Sequence, residues 1–330
     1  MASLLRHNSA KLLAARRWMS TSSKFQVPLL LNPSQTSLVL SEEDGILLDA
    51  SWFMPNSPRS GKAEFLKKRI PGAQFLDLDE VASPHELGLK HMMPEPHVFA
   101  EACGQFGINP ETHVVIYDTH GVFSSPRALF MFRAFGHEKS SVLNGGLPAW
   151  VDQGGQLETE ERRRHRKKEY AIPQLDQQMI RDYEQMISNS SLDPAGDSIS
   201  ALVLDARSKE RFTGAAPEPR PGLSSGHMPN SFSLPFNIFL QKQTSKADGS
   251  EYTTFREPDD LKRALEAAVG VEQANAIIEG KKSVVTTCGS GMTAAVLWLG
   301  LRLLGVKDIA LYDESWTGYA MRPSSKIVKD

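Results

Sequence analysis

The stretch SVVTTCGSGMTAAVLWLGLRLLG, residues 283–305, decides the fold. β-Branched residues fill 284–287, a Cys-Gly-Ser-Gly turn follows, and apolar residues then recur at helical spacing up to Gly305. Extended chain that breaks at glycine and resumes as helix is the βα step of an α/β protein. HVVIYDTHGVFSSPRALFMFRAFG at 113–136 repeats that grammar of strand, polar loop, helix and closing glycine. Three further pairs match: GILLDAS (45–51) with ALVLDAR (201–207), RIPGAQFLDLD (69–79) with GHMPNSFSLPF (226–236), and SVLNGGLPAW (141–150) with IALYDESWTGY (309–319). The shift between partners drifts from 156 to 170 positions, so one domain is written twice with insertions, unlike a short-period solenoid. Continuous apolar strands alternating with helical segments such as DLKRALEAAV (260–269) predict an α/β fold. Each copy is then a mostly parallel sheet with helices on both faces.

At 330 residues the chain has room for two such domains, and its formal charge of −2 points to neither a nucleic acid nor an acidic partner. No apolar run approaches the roughly 20 residues of a membrane span. Residues 1–41 contain no Asp or Glu but carry Arg6, Lys11, Arg16, Arg17 and Lys24 among Ser, Ala and Leu, the composition of an organelle transit peptide. The expected plan is a mitochondrial (matrix) transit peptide over 1–25, a first copy over 26–157, a charged linker over 158–176 and a second copy over 177–330. The linker's RRRHRKK reads as a solvated segment rather than a polyanion site.

Two cysteines are too few for a disulfide framework, so both are expected as free thiols. Cys103, inside EPHVFAEACGQFG (95–107), reads as a packed core residue. Cys288 stands at the carboxyl end of a strand, where ligands of open α/β sheets bind. Gly289, Ser290, Gly291, Met292 and Thr293 can wrap their N–H groups around its sulfur, and the following helix points its positive end at the same place. Both effects favour thiolate. Aligning VVIYD with VVTTC puts Asp118 opposite Cys288, so the first copy lacks the nucleophile.

CGSGMTA, GHMPNSFSLPF, RFTGAAPEPRPG, IPGAQFLDLD and YDESW together resemble the two-domain sulfurtransferases of the rhodanese family, over roughly residues 28–325. The resemblance implies two tandem rhodanese-like domains, the first catalytically silent, and sulfur transfer through a Cys288 persulfide without metal or organic cofactor. It implies that Arg211 and Arg220 grip the carboxylate and carbonyl of 3-mercaptopyruvate, as two planar forks suited to a 2-oxo acid. Ser290 would donate to the leaving enolate or the transferred sulfur, and Thr293 would bond inside the loop. His91 of KHMMPEP and Asp79 of LDLD would reach the cleft from the first copy. Acceptors would be reduced thioredoxin, a small thiol or cyanide.

Family members that favour thiosulfate carry cationic side chains in the loop, where this chain has the neutral Gly289 and Ser290. Mercaptopyruvate is therefore the expected donor, and thiosulfate a poorer one. Arg207 is expected as a structural partner, and His227 is expected to fix its own turn. The segment RFTGAAPEPR leaves the partner of Arg211 open, and Glu314 in YDESW replaces a usual glycine. A cysteine phosphatase of the Cys-x5-Arg type is excluded because Ala294 stands where its arginine would be. A non-catalytic binding module fits poorly with a chain that keeps Cys288, Arg211 and Arg220.

Overall fold

The computed structural model describes residues 27–42, 44–159, 166–194 and 196–330. The expected transit peptide and residues 160–165 of the charged run lie outside the described residues. In the first copy the strands are β1 (Leu30–Leu31), β2 (Gly45–Asp49), β3 (Gln74–Phe75), β4 (His113–Tyr117) and β5 (Ser140–Leu143). The second has β6 (Ile180–Arg181), β7 (Leu202–Asp205), β8 (Ser231–Ser233), β9 (Leu240–Thr244), β10 (Glu251–Phe255), β11 (Val284–Thr287) and β12 (Ile309–Tyr312).

The sheet orders are β1-β5-β4-β2-β3 and β6-β12-β11-β7-β8, position for position the same arrangement. Every ladder in both sheets is parallel. The central strands β4 and β11 are buried at every residue, which is why they read as unbroken apolar or β-branched runs. The registers Asp49↔Tyr117 and Asp205↔Thr287 place Asp118 and Cys288 one residue beyond equivalent strand ends.

Helix Ser125–Ala134 is buried on all sides, and helix Ala294–Leu303 is buried from Ala294 to Leu301. Both helices are buried around most of their circumference, and they pack on each other between the sheets. Phe130 meets Trp298 edge-on at 5.2 Å, and one apolar cluster runs through both copies. The helices that follow the Asp118 and Cys288 loops thus form the seam between the two copies. Cys103 lies in this core as a free thiol, and burial pushes its pKa up.

The antiparallel hairpin β9–β10 has no counterpart among the described residues of the first copy and reaches back over it. Thr253 N donates to His120 O (3.0 Å), Val122 N to Thr253 Oγ1 (3.1 Å) and Phe255 N to Asn144 Oδ1 (2.9 Å). It therefore covers the carboxyl ends of the first sheet, where a ligand would otherwise bind. The described part of the expected linker also lies along the first copy. Glu158 bridges Arg69, Tyr170 Oη bonds His137 Nδ1 at 3.0 Å, and Asp176 N donates to Ala134 O at 2.8 Å.

Candidate active site

Cys288 follows β11 directly and is 2% exposed. Its N–H donates to Ser315 Oγ (3.1 Å), and its carbonyl accepts from Trp316 N (2.9 Å). The Gly289 carbonyl accepts from Thr317 N (3.0 Å) and Thr317 Oγ1 (2.5 Å). Helix Ser315–Met321 thus turns these carbonyls away from the loop interior. Among the described residues, the N–H groups of Gly289 through Thr293 find no acceptor. Free N–H groups in a loop between a thiol and a helix start can serve as a cradle for negative charge on sulfur.

The first copy displays the same cradle filled. Asp118 Oδ2 accepts from Phe123 N (2.9 Å), Ser124 N (3.1 Å), Ser125 N (2.9 Å) and Ser125 Oγ (2.6 Å), while Oδ1 accepts from His120 N (3.0 Å). A carboxylate stands in the position of the second copy's thiol and consumes the donors. Beside it, burial raises the Asp49 pKa to about 7 against its bonds to Ser51, and the charge of Asp118 adds to the rise.

Both expected arginines face the sulfur loop. A Cβ on Gly289 would lie 3.2 Å from Arg211 Nη2 and 3.6 Å from Arg220 Nη1, so glycine here gives the guanidinium groups access to the loop. Arg211 is oriented by Glu218, which accepts from its Nε (3.1 Å) and Nη2. The same fully buried carboxylate accepts from Arg207 Nη1 (2.7 Å), and Arg207 also forks onto Asp205. Glu218 is the partner that RFTGAAPEPR left open. Arg207 is buried as a structural cation over the Trp316 ring, 4.1 Å from its centroid. Arg220 has no ion pair or side-chain hydrogen bond among the described residues, so its charge is uncommitted.

His91 is buried, with φ of 47°, and its Nδ1 meets Asp79 Oδ1 at 2.9 Å. Trp52 Nε1 donates to Asp79 Oδ2 (3.1 Å), and the indole packs edge-on against the imidazole. Burial raises the Asp79 pKa, but the bonds from His91 and Trp52 outweigh it and hold the carboxyl below its ordinary value. The His91 carbonyl accepts from Arg127 Nη2 (2.7 Å), and Arg127 in turn abuts Gly291. The histidine and the sulfur loop therefore share one neighbour.

Thr293 begins the helix but its side chain makes no capping bond, because its backbone is already helical. The Met292 side chain is packed into the core, so only its backbone faces the cradle. Ser290 is half-buried and its hydroxyl is uncommitted among the described residues. His227 fixes more than its own turn: it stacks on Phe212, bonds Phe212 O through Nδ1 (3.0 Å) and pairs with Val328. Glu314 is neutralised by Arg322, with His85 at 3.6 Å, so it adds little charge to the cleft. Sequence reasoning missed Ser315, Thr317, Asp313 and Arg127, which act on the loop from other elements.

Among the described residues no group of three or more His, Cys, Asp or Glu side chains could hold a metal ion. None of their helices is long and apolar enough to cross a membrane.

A family model described as the rhodanese-like domain matches residues 40–153 and 182–322. The chain belongs to the rhodanese-like family. Its similarity to named relatives spans both rhodanese-like copies. The probable 3-mercaptopyruvate sulfurtransferase of Schizosaccharomyces pombe is 36% identical over 277 residues, 84% of this chain and 87% of that protein. The mitochondrial thiosulfate/3-mercaptopyruvate sulfurtransferase 1 of Arabidopsis thaliana is 34% identical, over 87% of this chain and 75% of its own. The solved Tum1 protein from Saccharomyces cerevisiae superposes with a TM-score of 0.76 at 28% identity, over 92% of this chain and 99% of that one.

Proposed function

We propose that the chain is a sulfurtransferase that moves sulfane sulfur from 3-mercaptopyruvate, through a Cys288 persulfide, to a thiol acceptor or cyanide. The observation that carries this reading is the loop after β11, in which a thiol is followed by uncommitted N–H groups with two guanidinium groups beside it. The names of the relatives agree with it.

Arg211 and Arg220 bind the substrate carboxylate and carbonyl and bring its sulfur to Cys288. The Cys288 thiolate attacks that sulfur; an S–S bond forms and the C–S bond breaks. Its electron pair becomes the enolate of pyruvate, which takes a proton at carbon. The proton of the substrate thiol leaves the new persulfide, whose charge the loop N–H groups stabilise. An acceptor thiolate then attacks the outer sulfur and releases Cys288 as thiolate; cyanide leaves as thiocyanate. Ser290 donates to the enolate or the transferred sulfur, and His91 with Asp79 orders the substrate or its proton path. Thioredoxin and small thiols are the acceptors the reading implies.

Thiosulfate is the second donor, named in the Arabidopsis relative. The neutral Gly289 and Ser290 make it the poorer one, because a dianion finds no cation within the loop itself. We assign residues 1–25 as a mitochondrial targeting segment, supported by the acid-free first 41 residues and by the Arabidopsis relative's name. The division of the rest at 26–157, 158–176 and 177–330 is supported by the two family-model matches and by the two equivalent sheets.

The test compares kcat/KM for 3-mercaptopyruvate and thiosulfate in wild type and Cys288→Ser. Mercaptopyruvate is expected to be preferred and the variant inactive. Intact mass should rise by about 32 Da with mercaptopyruvate and fall back with dithiothreitol. Full activity of Cys288→Ser would end the persulfide mechanism, and a thiosulfate preference would reverse the donor ranking.

A further inference from the structure

We propose that Arg127, a residue of the silent copy, is the positioning residue that holds the sulfur loop and His91 in one geometry. The inference rests on Cys288 being the sulfur carrier. Arg127 is the third residue of the seam helix Ser125–Ala134 and is 2% exposed. Its Nη2 donates to His91 O (2.7 Å) and to Asp313 Oδ1 (2.5 Å), so one nitrogen joins a segment of the first copy to a carboxylate of the second. Asp313 closes the bracket by accepting from Met93 N at Oδ2 (2.8 Å).

The second half of the guanidinium lies against the loop. A Cβ on Gly291 would be 3.2 Å from Arg127 Nη1 and 2.9 Å from the Asp313 carbonyl. Gly291 has φ of 85°, a left-handed conformation that glycine adopts without strain, and the buried ion pair packs on its open side. Nη1 itself is buried without a hydrogen-bond partner. Leaving a buried donor unpaired is costly, and here its position is fixed by two bonds on the neighbouring nitrogen. Asp313 is also two residues before Ser315, whose hydroxyl takes the Cys288 N–H. One ion pair therefore touches the loop at Gly291, continues to the support of Cys288, and sets the strained backbone of His91. This gives the silent copy a task that needs no nucleophile of its own.

Arg127→Lys keeps a cation for Asp313 but loses the planar fork that spans His91 and Gly291. Because Arg211 and Arg220 still hold the substrate, KM for 3-mercaptopyruvate should stay within about threefold while kcat falls about 10- to 100-fold, the cost of a small misplacement of reacting groups. Single-turnover formation of the persulfide, followed by intact mass, should slow by the same factor. Asp313→Asn, which keeps the size and one acceptor oxygen for Arg127 but loses the charge and the acceptor for Met93 N, should lower kcat likewise, and the double variant should be no slower than the worse single one. Should Arg127→Lys fold poorly, Asp313→Asn alone decides, and its kcat must fall with KM held. Variants with wild-type kcat, or with KM raised as far as kcat is lowered, would overturn the assignment. Wild-type protein that gains no sulfur would instead remove the carrier reading on which it stands.

Discussion

Asp118 and Cys288 occupy the same place in two copies of one sheet, and the difference between them lies in who uses the loop N–H groups. In the first copy Asp118 Oδ2 takes three backbone N–H bonds and a hydroxyl. Around Cys288 the corresponding donors stay free among the described residues. The first copy is closed twice, by its own carboxylate within the cradle and by the β9–β10 hairpin over its mouth.

Restoring a thiol to the first copy should accordingly fail to restore chemistry. In a Cys288→Ser background, Asp118→Cys is expected to gain no sulfur from mercaptopyruvate by intact mass. Thr253 still lies against the loop at Gly121 and blocks access. The substitution should also destabilise the fold by about 3 kcal/mol, since buried N–H groups lose their acceptor. A persulfide on residue 118 would refute the closure argument.

What could be read from residues alone follows the range of the forces involved. The strand, glycine turn and apolar helix at 283–305 are local, so Cys288 and its cradle were legible, and the duplicated apolar pattern revealed both sheets. The hairpin strands LQKQT and EYTTF are polar and packed against the other copy, so no apolar period announced them. Arg127 and Asp313 are 186 residues apart, and a bond at that separation leaves no trace in spacing. Glu218 stood two residues before Arg220, yet its partnership with Arg211 depends on the segment folding back on itself.

Arg211 and Arg220 should be separable by experiment. Arg220 has no partner to lose among the described residues, so Arg220→Met should raise KM for mercaptopyruvate at least tenfold, about 1.4 kcal/mol of binding, with little change in thermal midpoint. Arg211→Met should raise KM similarly but also cost about 1–3 kcal/mol of stability, because the buried Glu218 carboxylate loses one of its two guanidinium partners. Steady-state kinetics beside thermal denaturation reads both. Equal stability losses would place Arg220 in the same structural network.

Ser315 has φ of 52°, an unusual backbone for a residue with a side chain, and spends its hydroxyl on Cys288 N. Ser315→Ala should lose that bond and keep the strain, whereas Ser315→Gly loses the bond and relieves the strain. The glycine variant is therefore expected to be more stable than the alanine variant by about 1 kcal/mol in chemical denaturation. Both should fall below wild type in kcat, since the support of the Cys288 backbone is gone. An alanine variant as stable as glycine would show that the left-handed backbone carries no strain here.

Asp49 predicts a pH dependence located in the first copy. Burial raises its pKa to about 7 from an ordinary 3.8, despite bonds from Ser51, with the charge of Asp118 adding to the rise. Between those two values the folded protein holds a proton that the unfolded chain has released, so stability falls as pH climbs from about 4 to 7. Above about 7 both states are ionised, and the folded state bears the full cost of the buried charge, on the order of 4 kcal/mol. Asp49→Asn imitates the protonated form at every pH. Relative to wild type, the variant should gain stability steadily from pH 4 to 7 and hold a constant advantage above it, measured by urea unfolding across that range. A difference that stays flat with pH would mean that Asp49 remains ionised in the fold, with its charge accepted by Ser51 and its neighbours.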